Sequence, residues 1–397
     1  MRRRTTFAAL LTAYALCNTP SFGPVYSLAL IMRWPILVFG AAIAVGQPRR
    51  QSAGFAAVWL MMLAALAAIS ALWSTDRVAT IFYFFVALTF LAALDGLLGA
   101  RNSGVSAEDL VGMLAVLHVV VIVGTLAYLV LRPGLAIDSS NVRGIIGNSN
   151  GLGVLLALTA PAIWTWRGVR RHPALFVGLC ALGPVLIFAS RSRSALLALA
   201  GAGVVSLVRA RLAVRIAIGY GLVVLVVLAL ALGHGAEARR WFVEDLLYKD
   251  QRNGDVLSSR RTAFSLTWQS AEHHLIVGRG FGIIATPAEL RDEGANVPRG
   301  STGHREVGNA YLGLLEQLGW LGAGVFGVLA LAVLAAVRRA VRGHSPATVT
   351  LAAIIVGSLV AANFEAYLFA TGAVEALITW SAVVVVVRSR TRIEVPV

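Results

Sequence analysis

Charge is scarce in this chain. Only 13% of its 397 residues are Asp, Glu, Lys or Arg, while 58% are hydrophobic. A soluble domain carries about 25% charged residues, and a chain of this size cannot bury so large an apolar excess in water. That excludes a soluble enzyme with a single anchor. Lysine is nearly absent: Lys249 is the only one among 34 basic residues. Cysteine is reduced to Cys17 and Cys180, more than 160 positions apart in apolar runs, which gives neither a disulfide framework nor a zinc site. Strand-like alternation is also missing. The apolar runs are continuous, which disfavours an outer-membrane barrel.

What the chain has is hydrophobic runs of membrane length. About 20 apolar residues make a spanning helix. Such segments lie at about 6–22, 25–46, 54–73, 78–99, 109–131, 150–166, 173–190, 194–208, 214–233, 308–337, 347–368 and 372–387. The reading is an all-α integral membrane protein of about 12 transmembrane helices with one large, partly helical loop. Its parts are helices 1–9 in 1–233, the loop at 234–307, and helices 10–12 with a tail in 308–397. The first segment is the weakest, being interrupted by Asn18, Pro20 and Pro24. Arg2 to Arg4 before an apolar stretch resembles a signal peptide, but no small-x-small cleavage site follows.

The formal charge of +15 reports orientation. With the N-terminus inside, the inner connections hold 18 of the 34 basic residues, the short outer connections hold six, and the large loop holds ten against ten acids. Basic loops face the cytoplasm, so the loop at 234–307 is expected on the outer side of the membrane. The positive charge then has no need of nucleic acid as a partner.

Several outward groups could carry chemistry. Arg191 and Arg193 open the segment at 194–208, where the positive-inside rule least expects them. A guanidinium fork grips phosphate oxygens with two parallel hydrogen bonds, and a helix start adds N–H donors; snorkelling to ordinary headgroups is the plainer account. Arg260 and Arg261 precede a helical run ending near His273 and offer a second cationic site, or a solvated loop pair. His304 and Glu306 stand before Gly308 and Asn309 at the next helix start, and a histidine there could act as a base. His273 and His274 look like a helix end, where a cationic imidazole favours the dipole. Gly147-Asn148-Ser149-Asn150-Gly151 reads as a helix entry. Glu365 and Glu375 lie in apolar runs, where an acid is a functional candidate by default. Gly278-Arg279-Gly280-Phe281-Gly282 is weak as a phosphate loop, lacking a strand before it and a Lys-Ser/Thr ending.

Together these stretches resemble the O-antigen ligase and Wzy-type polymerase superfamily of bacterial membrane glycosyltransferases. Leu72-Trp73-Ser74-Thr75-Asp76 looks like its Trp-Ser element, and Gly147-Asn148-Ser149-Asn150 like its Asn-rich helix entry. Ser192-Arg193-Ser194-Ala195-Leu196-Leu197 is similar to its Ser-Arg-x-Ala-Leu helix start. Ser259-Arg260, then Phe264 and Gly278-Arg279-Gly280, matches the pattern of its large loop. Asn309-Ala310-Tyr311-Leu312, with Glu316, Gly319 and Gly322, matches the span that follows.

The resemblance implies a GT-C-like fold and a metal-independent, cofactor-free glycosyl transfer at the periplasmic face. The donor would be a polyprenyl-diphosphate-linked glycan. The acceptor would be a hydroxyl of a glycan, lipid or protein. Arg193 and Arg260, supported by Arg191 and Arg261, would hold the pyrophosphate, with weaker contributions from Asn150, Asn309 and Tyr311. The family usually places a histidine, its probable base, where this chain has Gly308. His304 or Glu306 would have to replace it, or activity would be lost. Ligase and polymerase both stay open, as do a transporter or flippase of lipid-linked glycan and a non-catalytic subunit.

Overall fold

The computed structural model describes residues 34–35, 38–39, 41–42, 55–98, 105–138, 141–209, 258–295, 297, 305–343, 345–370 and 372–389. The segments expected at 6–22 and 214–233, nearly all of 25–46, and His304 lie outside the described residues.

The architecture is helical. In chain order it runs α1 (Phe55–Ile69), α2 (Arg77–Leu98), α3 (Ala107–Leu131), α4 (Ser149–Thr165), α5 (Pro173–Ala189), α6 (Arg193–Arg209), α7 (Ser258–Glu272), α8 (Pro287–Asp292), α9 (Ala310–Arg342), α10 (Pro346–Ala361) and α11 (Val374–Arg388). The described sheet is a two-residue antiparallel pair, Ile137↔Val142 and Asp138↔Asn141. Among the described residues, three helices are long and apolar enough to cross a membrane: Arg77–Leu94, Ala107–Leu131 and Ala310–Arg342. The other apolar helices are shorter; α4, α5 and α6 have 17 residues each, about 25 Å at 1.5 Å per residue.

The core is apolar and continuous from α3 through α4 to α10 and α11. α6 packs most intimately on α10, where a Cβ on Gly357 would lie 2.8 Å from the Ala198 carbonyl oxygen and 3.2 Å from the Ala202 Cβ. Small residues at such a crossing let two backbones approach, the usual device where lipid removes the hydrophobic drive between helices.

Two expected segments differ from the sequence reading. The run at 308–337 does form one long helix, but Gly319 breaks it, with φ 61° and ψ −163°. The break frees backbone groups, and the loop satisfies them. Trp320 N donates to Leu275 O (2.7 Å), Leu321 N to Ile276 O (3.2 Å), Arg279 N to Glu316 O (2.9 Å) and Gly280 N to Gln317 O (2.9 Å). The run at 347–368 ends as a helix at Ala361, and Ala366–Phe369 forms a separate 3-10 turn. Hydropathy is blind to both events, because averaged over a span-length window the segments stay apolar.

The glycine cluster after α7 now has a physical role. Gly278 has φ +72°, and a Cβ there would meet the Gln317 carbonyl group at 2.3 Å. On the other side, Trp73 Nε1 donates to Val277 O (3.0 Å), Thr75 N to Arg279 O (3.1 Å) and Phe281 N to Ser70 Oγ (3.0 Å). The Trp-Ser element and the glycine cluster are thus two halves of one joint. The amides of residues 278 to 282 all donate within the protein, so none is left to cradle a phosphate. Gly278→Ala should lower stability by about 2–5 kcal/mol, from the left-handed backbone and the backbone overlap together. Thermal unfolding of the purified variant would show it as an earlier transition.

Candidate functional site

Five helix ends meet at one end of the bundle: the starts of α4, α6, α9 and α11 and the end of α10. Ala310 N donates to Ala362 O (2.9 Å), joining α9 to α10. Asn309 caps α9 by accepting from Tyr311 N (2.8 Å) and Leu312 N (3.0 Å), and its Nδ2 donates to Asn363 O (2.9 Å). Tyr311 Oη donates to Leu359 O (2.7 Å). Asn309 and Tyr311 therefore fasten the same two helices together.

Glu365 is the centre of the arrangement. Its extended backbone (φ −140°, ψ 139°) places it after α10, in the turn between two helices and outside any helical run. Its Oε1 accepts from Arg260 Nη2 (2.7 Å) and from Ser194 Oγ (3.1 Å). One carboxylate oxygen thereby joins the start of α7 to the start of α6, beside Arg193. Arg193 is half-buried and within electrostatic reach of Arg260. Arg260 is itself mostly enclosed, with 12% of its side chain exposed, and its Nη1 pairs with the Glu306 carboxylate.

The other sequence candidates scatter around this centre. Arg191 sits in the turn between α5 and α6 with φ 51°, a left-handed value unusual for a side-chain-bearing residue. Arg261 is exposed, next to Arg260 on α7. Asn150 lies in the first turn of α4, which Asn148 caps by accepting from Gly151 N (3.1 Å). A Cβ on Gly151 would lie 3.7 Å from Glu375 Oε1, so that carboxylate rests against a helix start, where the dipole favours it. His273 and His274 follow directly on the end of α7 at Glu272, as the sequence suggests. Burial and then the charge of Arg279 lower the His274 imidazole below the ordinary value, with Glu293 opposing.

Gly308 explains the missing histidine. Its φ is +69°, and a Cβ there would approach the Ala263 Cβ to 3.2 Å and Arg260 Nη1 to 3.6 Å. The position faces the site, but its backbone conformation is one that only glycine adopts freely. Gly308→His should cost about 1–2 kcal/mol in backbone strain alone. Unfolding of that variant beside the wild type would measure it.

A second polar cluster lies outside the site candidates read from the sequence. Arg305 Nη2 donates to both carboxylate oxygens of Glu316, Nη1 to Thr267 Oγ1 (2.5 Å) and Nε to Ala285 O (3.3 Å). Glu316 also accepts from Ser270 Oγ (2.6 Å) and Ala285 N (3.0 Å), and Arg279 Nε donates to Ser270 Oγ (2.9 Å). The Arg305 and Glu316 side chains are 3% and 0% exposed. This pair anchors the chain at Arg305, from which Glu306 and Val307 lead directly to Gly308 at the site.

The described residues form a helical bundle with Arg193 and Arg260 at two of its helix starts and a loop docked on a broken helix. Residues 176–327 match the family model described as O-antigen ligase (Wzy_C). The match takes in Arg193, Arg260, Gly308 and Glu316 and stops short of Glu365. No curated protein matches the chain, and neither does any solved structure.

Proposed function

We propose that this chain is an O-antigen ligase-like glycosyltransferase of the bacterial inner membrane, with its site facing the periplasm. It would move a glycan from a polyprenyl diphosphate to an acceptor hydroxyl. The observation that carries the reading is the convergence at Glu365, which brings Arg260 to the Arg193 helix start. Two guanidinium groups at one helix start are suited to two linked phosphates.

The chemistry follows from that placement. The acceptor oxygen forms a bond to the sugar's anomeric carbon as the bond from that carbon to the diphosphate oxygen breaks. The acceptor's proton passes to a base, for which the sequence offers His304 and Glu306. The polyprenyl diphosphate leaves with increased negative charge, and Arg193 and Arg260 would stabilise that charge as it develops. An apolar crevice between α1, α2 and α11, lined by Leu63, Phe90, Phe281, Phe369 and Trp380 among others, suits part of an isoprenoid chain.

The test is transfer in proteoliposomes given a lipid-linked glycan and a hydroxyl acceptor, with a metal chelator present. A new glycosidic bond is expected, and Arg193→Gln should reduce its formation about a hundredfold. Donor that crosses the bilayer with no new bond formed would make the protein a flippase instead.

A further inference from the structure

We propose that Glu306 is a built-in counter-ion for Arg260, displaced when the donor's diphosphate arrives. The inference rests on the proposed diphosphate site. Arg260 presents two terminal nitrogens, and each already holds a carboxylate: Nη2 on Glu365 and Nη1 on Glu306. With a carboxylate on each terminal nitrogen, a diphosphate has to compete with two negative charges for the N–H donors of the guanidinium, and it gains the full charge of Arg260 only when one carboxylate leaves.

The two carboxylates are unequal. Glu365 is 19% exposed and also accepts from Ser194, so removing it would strand a largely enclosed arginine and release the start of α6. Glu306 is 69% exposed. Arg260 is its partner among the described residues, and it sits on the non-helical stretch that leads into the left-handed Gly308. Its desolvation on pairing is small, and water receives it again at little cost. Glu365 is therefore the fixed ligand that aims the guanidinium, and Glu306 is the exchangeable one.

The exchange has a chemical consequence. While Glu306 is paired with Arg260, the Oε1 that accepts from Nη1 is not open to an acceptor hydroxyl. Once the diphosphate takes its place, a free carboxylate stands beside the bound donor, where an acceptor hydroxyl must approach. Donor binding and the appearance of that carboxylate become one event, and water in the empty site meets a base held in an ion pair.

The experiment measures binding of farnesyl diphosphate to the full-length protein in detergent by titration calorimetry, with farnesol as the probe lacking phosphates. Glu306→Gln should bind farnesyl diphosphate about two- to fivefold more tightly than the wild type and farnesol equally. Glu306→Asp keeps the charge but withdraws it by about one methylene, and it should also bind more tightly. Equal or weaker binding by Glu306→Gln overturns the proposal. So does a gain in Glu306→Gln with none in Glu306→Asp, because a general field effect would then suffice. Arg260→Gln separates this failure from that of the underlying site. If it weakens binding about tenfold or more, the diphosphate site stands whatever Glu306 does. If it leaves binding unchanged, the site itself is wrong and the exchange falls with it.

Discussion

Replacing Arg260 by lysine is expected to lower glycan transfer by about a hundredfold, and replacing it by glutamine by about a hundred- to a thousandfold. The reason is geometric as well as electrostatic. Arg260 reaches Glu365 with one terminal nitrogen and Glu306 with the other, so its plane is fixed in two directions. An ammonium group is a point charge on a flexible stem and cannot stay aimed by Glu365 while presenting a planar fork to the diphosphate. Lysine would therefore retain attraction for the donor but lose its alignment. The loss should fall mainly on kcat, because the charge matters most as the diphosphate departs. Steady-state transfer rates against donor concentration check this. A lysine variant with normal kcat would show that charge alone is enough at this position.

The second large effect is expected at Glu316. Glu316→Ala should cost about 3–5 kcal/mol, because it leaves Arg305 buried without its counter-charge. For a chain of this size that corresponds to a fall in Tm of about 4–6 °C. Glu316 also accepts from Ser270, the residue that receives Arg279 Nε, so one truncation disturbs two enclosed arginines. A paired Arg305→Met, Glu316→Leu variant should recover part of the loss, since an apolar pair has no unpaired charge to bury. Thermal unfolding of the single and double variants gives the coupling directly. Additive losses would mean that the pair contributes little beyond its packing.

What can be read from the sequence depends on whether a residue announces its environment locally. Arg260 opening a helix and Asn309 capping one are local events, with recognisable residue types at fixed offsets, and both appear at those places. Glu365 stands out because an acid in an apolar run demands a reason. The same rule applied to Glu316, in the run that follows Asn309, points to the buried pair; what hides its partner is that Arg305 lies in a polar loop where arginine needs no explanation. The break at Gly319 has no local signature, because its partners are the backbone groups of Leu275 and Ile276, more than 40 positions away. The glycines at 278, 280 and 282 are visible as a cluster, but their purpose depends on the Trp-Ser element some 200 residues earlier. Gly308 reads in the sequence as a missing base; only its φ of +69° shows why a histidine fits poorly there.

The hydrogen bonds between the broken helix and the stretch at 275–280 also bear on how this protein can be taken apart. A loop tethered only at its two ends can be excised and expressed as a soluble fragment. This one cannot be separated cleanly. Cutting it away would leave Trp320 and Leu321 amides without acceptors, the Glu316 and Gln317 carbonyls without donors, and the Glu316 carboxylate without Arg305. The fragment would carry the matching wounds, with the Leu275 and Ile276 carbonyls and the Arg279 and Gly280 amides bare. The stretch at 275–280 and the long helix form a single unit, and chimaeras that exchange this stretch between relatives should carry the first three turns of α9 with it.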